Sequence, residues 1–433
     1  MPSPLPSDSL RQSPTHVRYR VLSMAVLLAA ITYLDRVCIS ITAPEMRRDL
    51  HLTPVEMSFV FSAFTLAYGI FEIPTGRWGD RAGTRLVLLR IVAWWSTFTM
   101  LTGAAFSYAS LLATRFLFGV GEAGAWPNVA ITFSRWFPQR ERGTAQGIFF
   151  SGAHMAGGLT PLLVTALMTY FHWRTLFVLF GSIGFVWAFA WYRWFRDTPA
   201  LHASVNEAER AYIESGKAVV PAEHFDSRGW QSILANRTVV LLCAMYFTQV
   251  YGFYLYITWM PTYLKDSRGF TSLALGIVAG LPLILSAVAD IVGGLVTDAM
   301  AARFGLRIGR VAVGATSLAA AGVFLIAGIF VGNPVLAALL ISLAAASSNF
   351  LLGAAWGTCL DIGGRHSGLV SAAMNTSGQV GGILSPILLG FVVQHFATWS
   401  APLYFSGCLY LLGALCWLGI DPLTPVAADA VEV

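Results

Sequence analysis

Gly76-Arg77-Trp78-Gly79-Asp80-Arg81-Ala82-Gly83-Thr84-Arg85 separates two apolar runs, and 218 residues later Gly294-Leu295-Val296-Thr297-Asp298 repeats its opening, G-x-x-x-D, between two more. One repeated motif is weak, but two further pairs keep the same order at nearly the same offset. Ser151-Gly152, Gly157-Gly158 and Pro161 return as Ser377-Gly378, Gly381-Gly382 and Pro386, and Trp126 returns as Trp356. Each half of the chain therefore reads as a parallel copy of the other.

Of the 433 residues, 56% are apolar and 11% charged, against about 25% charged in a soluble domain. A membrane-crossing helix needs about 20 mostly apolar residues, and twelve such runs can be placed. They lie near 19–43, 54–76, 86–105, 108–134, 143–170, 174–195, 238–264, 271–298, 308–331, 334–360, 367–396 and 401–420. The fold class is an all-α membrane protein with twelve transmembrane helices in two six-helix bundles. The first run resembles a signal peptide only superficially, because Asp35 and Arg36 interrupt it and eleven more follow. The expected organisation is a disordered tail (1–17), a bundle (18–196), a linker (197–236), a second bundle (237–421) and a tail (422–433).

The net charge is +5, and 25 of the 27 basic residues are arginine. They fall in the gaps between runs, which argues for topology rather than nucleic-acid binding. Placing alternate connections on opposite sides gives nineteen Lys and Arg on the side of the termini against five on the other, so both termini are expected in the cytoplasm. The five cysteines show neither CxxC nor metal-ligand spacing, and no disulfide, metal or cofactor is expected. Nucleotide loops and Gly-x-Ser-x-Gly strings are missing too, so nothing points to an enzyme, and a sensor would lack an output domain.

Gly76–Arg85 resembles the 2–3 loop signature of the major facilitator superfamily, G-x-x-x-D-R-x-G-x-R, at every fixed position, and Arg115-x-x-x-Gly119 with Gly121 resembles its fourth-helix signature. A narrower resemblance is to the anion:cation symporter family. It is carried by Tyr33-Leu34-Asp35-Arg36, Tyr68 with Glu72-Ile73-Pro74-Thr75-Gly76, Gly121-Glu122-Ala123, Trp259-Met260-Pro261-Thr262-Tyr263-Leu264 and Asn375-x-x-Gly378. The resemblance implies carriage of carboxylates such as sugar acids, usually with protons. It makes Asp35 and Glu122 the proton-coupling acids and places Tyr33, Arg36 and Tyr68 at the substrate.

The residues themselves support a site. An ionisable group inside a span costs roughly 2.5–3.5 kcal/mol on insertion scales and is a functional candidate by default; those here are Asp35, Arg36, Glu72, Arg90, Arg115, Glu122 and Asp290. Arg115 and Glu122 are seven residues apart, so they share a helix face, about 20° apart in rotation. Adjacent Asp35 and Arg36 point about 100° apart and need separate partners. The expected arrangement sets Asp35 against Arg115, with Arg36 facing an anionic substrate and Glu122 deeper. Burial raises a carboxyl pKa and a guanidinium lowers it, so a substrate that competes for the arginine would couple binding to proton uptake. The competing reading is a salt-bridge network that merely joins helices 1 and 4.

Further candidates for the substrate site are Tyr246, Gln249 and Tyr254 in the seventh run, Trp356 in the tenth, and Asn375 with Gln379, four apart on one face of the eleventh. Tyr251 and Tyr256 add to the hydroxyls of the seventh. His154 is a candidate as well, though a lone histidine is more often a packing residue; several sugar-acid carriers have a glutamine near this position, where this chain has Ala153. Glu72 and Asp290 each precede a loop aspartate by eight residues, which suggests a symmetric polar contact between halves or a proton relay. Gly76, Asp80, Arg81, Gly83 and Arg85, with Gly294 and Asp298, are the expected gating loops. Asp80 and Asp298 would be latched by Arg81, Arg85, Arg303 and Arg307, more weakly in the second copy, where Ala299 replaces the arginine.

The expected function is proton-driven import of a small organic anion, a sugar acid or similar hydroxycarboxylate, by a monomer in the inner membrane. The alternative is a proton-coupled exporter of drugs or metabolites. Drug exporters carry a Gly-Pro-x-x-Gly-Gly string in helix 5 that Ala156–Pro161 does not supply.

Overall fold

The structure, a computed structural model, describes residues 13–214, 235–363, 367–424 and 426. Residues 1–12 of the first tail, most of the last tail and half of the central linker, 215–234, lie outside the described residues. Among those described, eleven helices are long and apolar enough to cross a membrane. Span 1 is Val17–Asp49, span 2 Pro54–Ala82, span 3 Thr84–Gly103, span 5 Gln139–Leu167 and span 6 Trp173–Trp194. In the second half, span 8 is Ser272–Phe304, span 9 Leu306–Phe330, span 11 Ser367–Phe396 and span 12 Ser400–Leu418. Large apolar side chains such as Val186, Phe189, Leu295 and Leu415 stand exposed, as a lipid-facing surface requires.

Spans 4, 7 and 10 are each broken in two, where the apolar pattern implies one continuous helix. Span 4 is Tyr108–Glu122 then Ala125–Trp136, span 7 is Arg237–Thr258 then Met260–Asp266, and span 10 is Pro334–Phe350 then Leu352–Gly363. The fourth run is thus a span of two short helices, 15 and 12 residues long. Its break falls at Gly124, which takes φ +85, a left-handed conformation that a side chain disfavours. A Cβ there would also come within 2.6 Å of the Thr75 side chain. Span 7 breaks before Pro261, which cannot supply the N–H a continuous helix needs. At the break in span 10, a Cβ on Gly353 would lie 2.9 Å from the Gly294 Cα. Gly294 of the second loop motif therefore serves close approach of spans 8 and 10, as small residues do in membranes.

The two halves repeat in space. Spans 1 and 5, 3 and 6, 2 and 4, 3 and 4, and 1 and 6 pack together, and so do their counterparts 7 and 11, 9 and 12, 8 and 10, 9 and 10, and 7 and 12. The halves meet along two long seams that are themselves related, span 5 on span 8 and span 2 on span 11. A third contact joins span 1 to Met260–Asp266 on the side away from the described chain ends.

Part of the central connection is ordered against the first half. The short helix Glu207–Glu214 places the fully buried Glu209 at the start of span 1, where it accepts from the Val17 and Arg18 backbone N–H groups, each at 3.1 Å, and from Thr15 Oγ1 at 2.6 Å. It also pairs with the Arg18 guanidinium at 3.1 Å. The Glu209→Gln protein should unfold with a stability lower by about 2 kcal/mol, because two helix-end donors lose their charged acceptor and Arg18, which also pairs with Glu141 at 3.0 Å, loses one of its two counter-charges. Denaturation of the purified protein in detergent measures this, and an unchanged midpoint would contradict the cap.

Candidate functional site

Arg36 leaves span 1 toward the middle of the first half and is held by Glu122, the last residue before the break in span 4. Its Nε donates to Glu122 Oε1 at 2.5 Å and its Nη2 pairs with the same oxygen. Glu122 is fully buried, and the Arg36 side chain is 13% exposed. Four rings surround the guanidinium carbon: Phe64 and Tyr68 at 5.0 Å, Trp126 at 5.6 Å and Tyr33 at 5.7 Å from their centres. Such faces attract a cation while excluding water. Tyr254, from span 7 in the second half, lies within electrostatic reach of Arg36.

Asp35 lies near Arg115, as expected, but the two form no ion pair within 4.0 Å, and among the described residues both Asp35 oxygens and Arg115 Nε and Nη1 have no hydrogen-bond partner. The azimuth of span 1, fixed by its packing on spans 5 and 6, turns Arg36 to Glu122 and leaves Asp35 beside Trp95, Thr99 and Arg115. Arg115 stacks at 4.1 Å on Phe118 and at 5.7 Å on the same Phe64 ring that faces Arg36. It is 2% exposed and meets the cage at Phe64. Of the two acids, Glu122 holds an arginine, whereas Asp35 forms no ion pair among the described residues.

The acids Glu72 and Asp290 do not meet each other, but each crosses a seam. Asp290 Oδ2 lies 2.5 Å from His154 Nδ1, tying span 8 to span 5. Asn375 Nδ2 donates to Glu72 Oε2 at 3.4 Å, tying span 11 to span 2. His154 is therefore more than packing: its ring meets Tyr33 edge-on at 5.5 Å and Phe253 at 5.7 Å. Gln379 lies against Gly69, 3.7 Å from where a Cβ would stand.

The hydroxyls of span 7 divide. Tyr254 lies within electrostatic reach of Arg36, its ring against Gly382 of span 11, while Tyr256 turns into the second half, its oxygen 3.5 Å from the Tyr410 hydroxyl. Tyr251 packs on Phe405. Tyr246 meets Trp356 edge-on at 6.3 Å. Gln249 is directed away from the seam, donating at 3.5 Å to Asn349, which in turn donates to Ser286 at 3.0 Å.

The loop latches differ from expectation. Asp298 reaches Arg310 at 3.8 Å, not Arg303 or Arg307, and Arg310 also pairs with Asp361 at 2.9 Å. Gly305, at φ +89, reverses the chain so that Arg310, one turn into span 9, lies over the end of span 8. In the first half Arg85 donates to the Tyr192 carbonyl at 2.6 Å, and its backbone N–H to Asp197. Gly83 takes φ +84, which a side chain disfavours, and a Cβ there would also strike the Asp197 carboxylate at 2.8 Å. The side chains of Asp80 and Arg81, and Gly76, lie outside the described residues. Phe64, Trp126, Phe253, Trp95 and Thr99 were missed; of these only Trp126 carried a signal, its duplication as Trp356.

Residues 25–386 match the family model described as Major Facilitator Superfamily. The chain belongs to that superfamily. It is a multi-pass membrane transporter, not an enzyme. Among curated proteins it is similar to a probable sulfoacetate transporter of Cupriavidus necator, 33% identical over 94% of this chain and 95% of that protein. It is also similar to a probable galactarate/D-glucarate transporter of Bacillus subtilis, 32% identical over 93% and 92%. Among solved structures, a bacterial homologue of the human lysosomal transporter Spinster, in an inward-facing and unoccupied conformation, matches with a TM-score of 0.74. It covers 96% of this chain and 100% of that one at 19% identity, which bears on the fold alone.

Proposed function

We propose that this transporter imports a small organic anion, a sugar acid or similar hydroxycarboxylate, by proton symport across the inner membrane. It would act as a monomer with both termini in the cytoplasm. The observation that carries the reading is the Arg36–Glu122 pair inside an aromatic cage at the meeting of the two halves. A substrate carboxylate can take the guanidinium only if Glu122 releases it, and a proton on Glu122 does that without leaving two charges around one cation. Asp35, buried without an ion pair, is the second proton site. The names of the relatives, transporters of sulfoacetate and of galactarate/D-glucarate, support an acidic substrate.

The bundles 18–196 and 237–421 rock about the seams, which alternating access requires of two similar bodies around a central site. Closure between span 1 and Met260–Asp266 supports a cytoplasm-facing state. Asp298 with Arg310, and Gly83 with Arg85, brace the loop ends that must shift as the bundles rock. In proteoliposomes, labelled galactarate should accumulate several-fold above equilibrium only under an inward proton gradient. Proton-driven loss of preloaded cationic drug, without acid uptake, would instead support an exporter.

A further inference from the structure

A guanidinium and an imidazole both lie against one tyrosine. The Arg36 guanidinium lies 5.7 Å from the Tyr33 ring centre, and the His154 ring meets the same tyrosine at 5.5 Å. Each has a carboxylate for a partner. Glu122 holds Arg36 and Asp290 holds His154, and in both acids the second oxygen, Glu122 Oε2 and Asp290 Oδ1, is buried with no hydrogen-bond partner among the described residues. The pairs differ in place: Arg36–Glu122 lies within the first half, whereas His154–Asp290 bolts span 5 to span 8.

We propose that the ligand is a small dianion with an acid group at each end, one taken by Arg36 and the other by His154, with Tyr33 between them. This rests on the organic-anion reading and narrows it. A single acid group can satisfy Arg36 once Glu122 lets go, but it leaves the His154–Asp290 bolt closed. A second acid group displaces Asp290 as well, so filling the site also opens that polar tie between span 5 and span 8. The direction of the ligand follows from the remaining charges. On the Tyr68 side of Arg36 stands Glu72, held by Asn375, and its carboxylate repels the far end of an anion. On the Tyr33 side stands His154.

Purified full-length protein in proteoliposomes tests this with two matched pairs, galactarate against galactonate and sulfoacetate against acetate. At least one diacid should exceed its monoacid in kcat/KM by about tenfold, the scale of one charge-assisted hydrogen bond. His154→Gln should remove that preference, and His154→Arg, which supplies a cationic donor, should keep it. Equal transport of both members of each pair, or a preference that His154→Gln leaves in place, overturns the dianion while the organic-anion reading stands. Equal loss of mono- and diacid uptake in both His154 variants also overturns it, and assigns His154–Asp290 to holding the halves together. Uptake of none of the four by the unaltered protein removes this proposal together with the reading beneath it.

Discussion

Proteoliposomes carrying Glu122→Gln are expected to exchange the anion across the membrane yet fail to accumulate it, with uptake driven by a proton gradient falling about a hundredfold. Glu122 and a ligand carboxylate compete for the same donors, Nε and Nη2 of Arg36. With Glu122 charged, binding would put two buried anions around one cation, an uncompensated charge that a dry site tolerates poorly. A proton removes the conflict. Glutamine removes it permanently, so the ligand binds without a proton and nothing drives its cycle in one direction. The sign is definite: the apparent affinity of the unaltered protein should fall as pH rises through the titration of Glu122, by at most about tenfold per pH unit for one linked proton, and Glu122→Gln should show no such slope. Asp35→Asn should keep the slope, since Asp35 holds no arginine. Equilibrium binding of labelled anion at several pH values, set beside uptake with and without a gradient, measures both effects. Accumulation by Glu122→Gln at the unaltered level would end the assignment.

The duplication made the architecture legible. Gly294–Asp298, Pro386 and Trp356 fixed two equivalent halves, and packing repeats pair for pair. The breaks in spans 4, 7 and 10 were not read, although Gly124 and Pro261 were in view. Apolar patterning averages over several turns, and a break of one or two residues disappears in that average. At the site, helical geometry showed that Asp35 and Arg36 diverge. It could not say which of them meets Glu122, because the rotation of span 1 is set by contacts with spans 5 and 6, more than a hundred residues away in sequence. His154 illustrates the same limit: its partner Asp290 comes from the other half, and a lone histidine in a sequence carries no mark of a distant acid. Arg310 replaced Arg303 and Arg307 for a local reason, the turn at Gly305, whose glycine was visible but whose direction was not.

Arg36→Lys is expected to lower kcat/KM for anion uptake by about a hundredfold, chiefly through KM, although the charge is kept. Arginine gives Glu122 two donors from a flat group, and that flat group lies among Phe64, Tyr68, Trp126 and Tyr33 at 5.0–5.7 Å. Lysine offers a compact, strongly hydrated ammonium, which loses the second donor and suits a cage of ring faces less well. Because the ammonium still neutralises Glu122, the protein should fold and resist heat nearly as before, separating a binding defect from a folding defect. Arg115→Lys provides the contrast. Arg115 shares Phe64 with Arg36, but it is 2% exposed and, among the described residues, has no ion pair, so its substitution should change KM by less than about tenfold. Kinetics of labelled uptake by the two variants, compared with their melting curves, decide between the two arginines. Near-normal transport by Arg36→Lys with a large KM increase in Arg115→Lys would move the anion to Arg115, and Glu122 would then be coupled to the ligand through Arg115 rather than through Arg36.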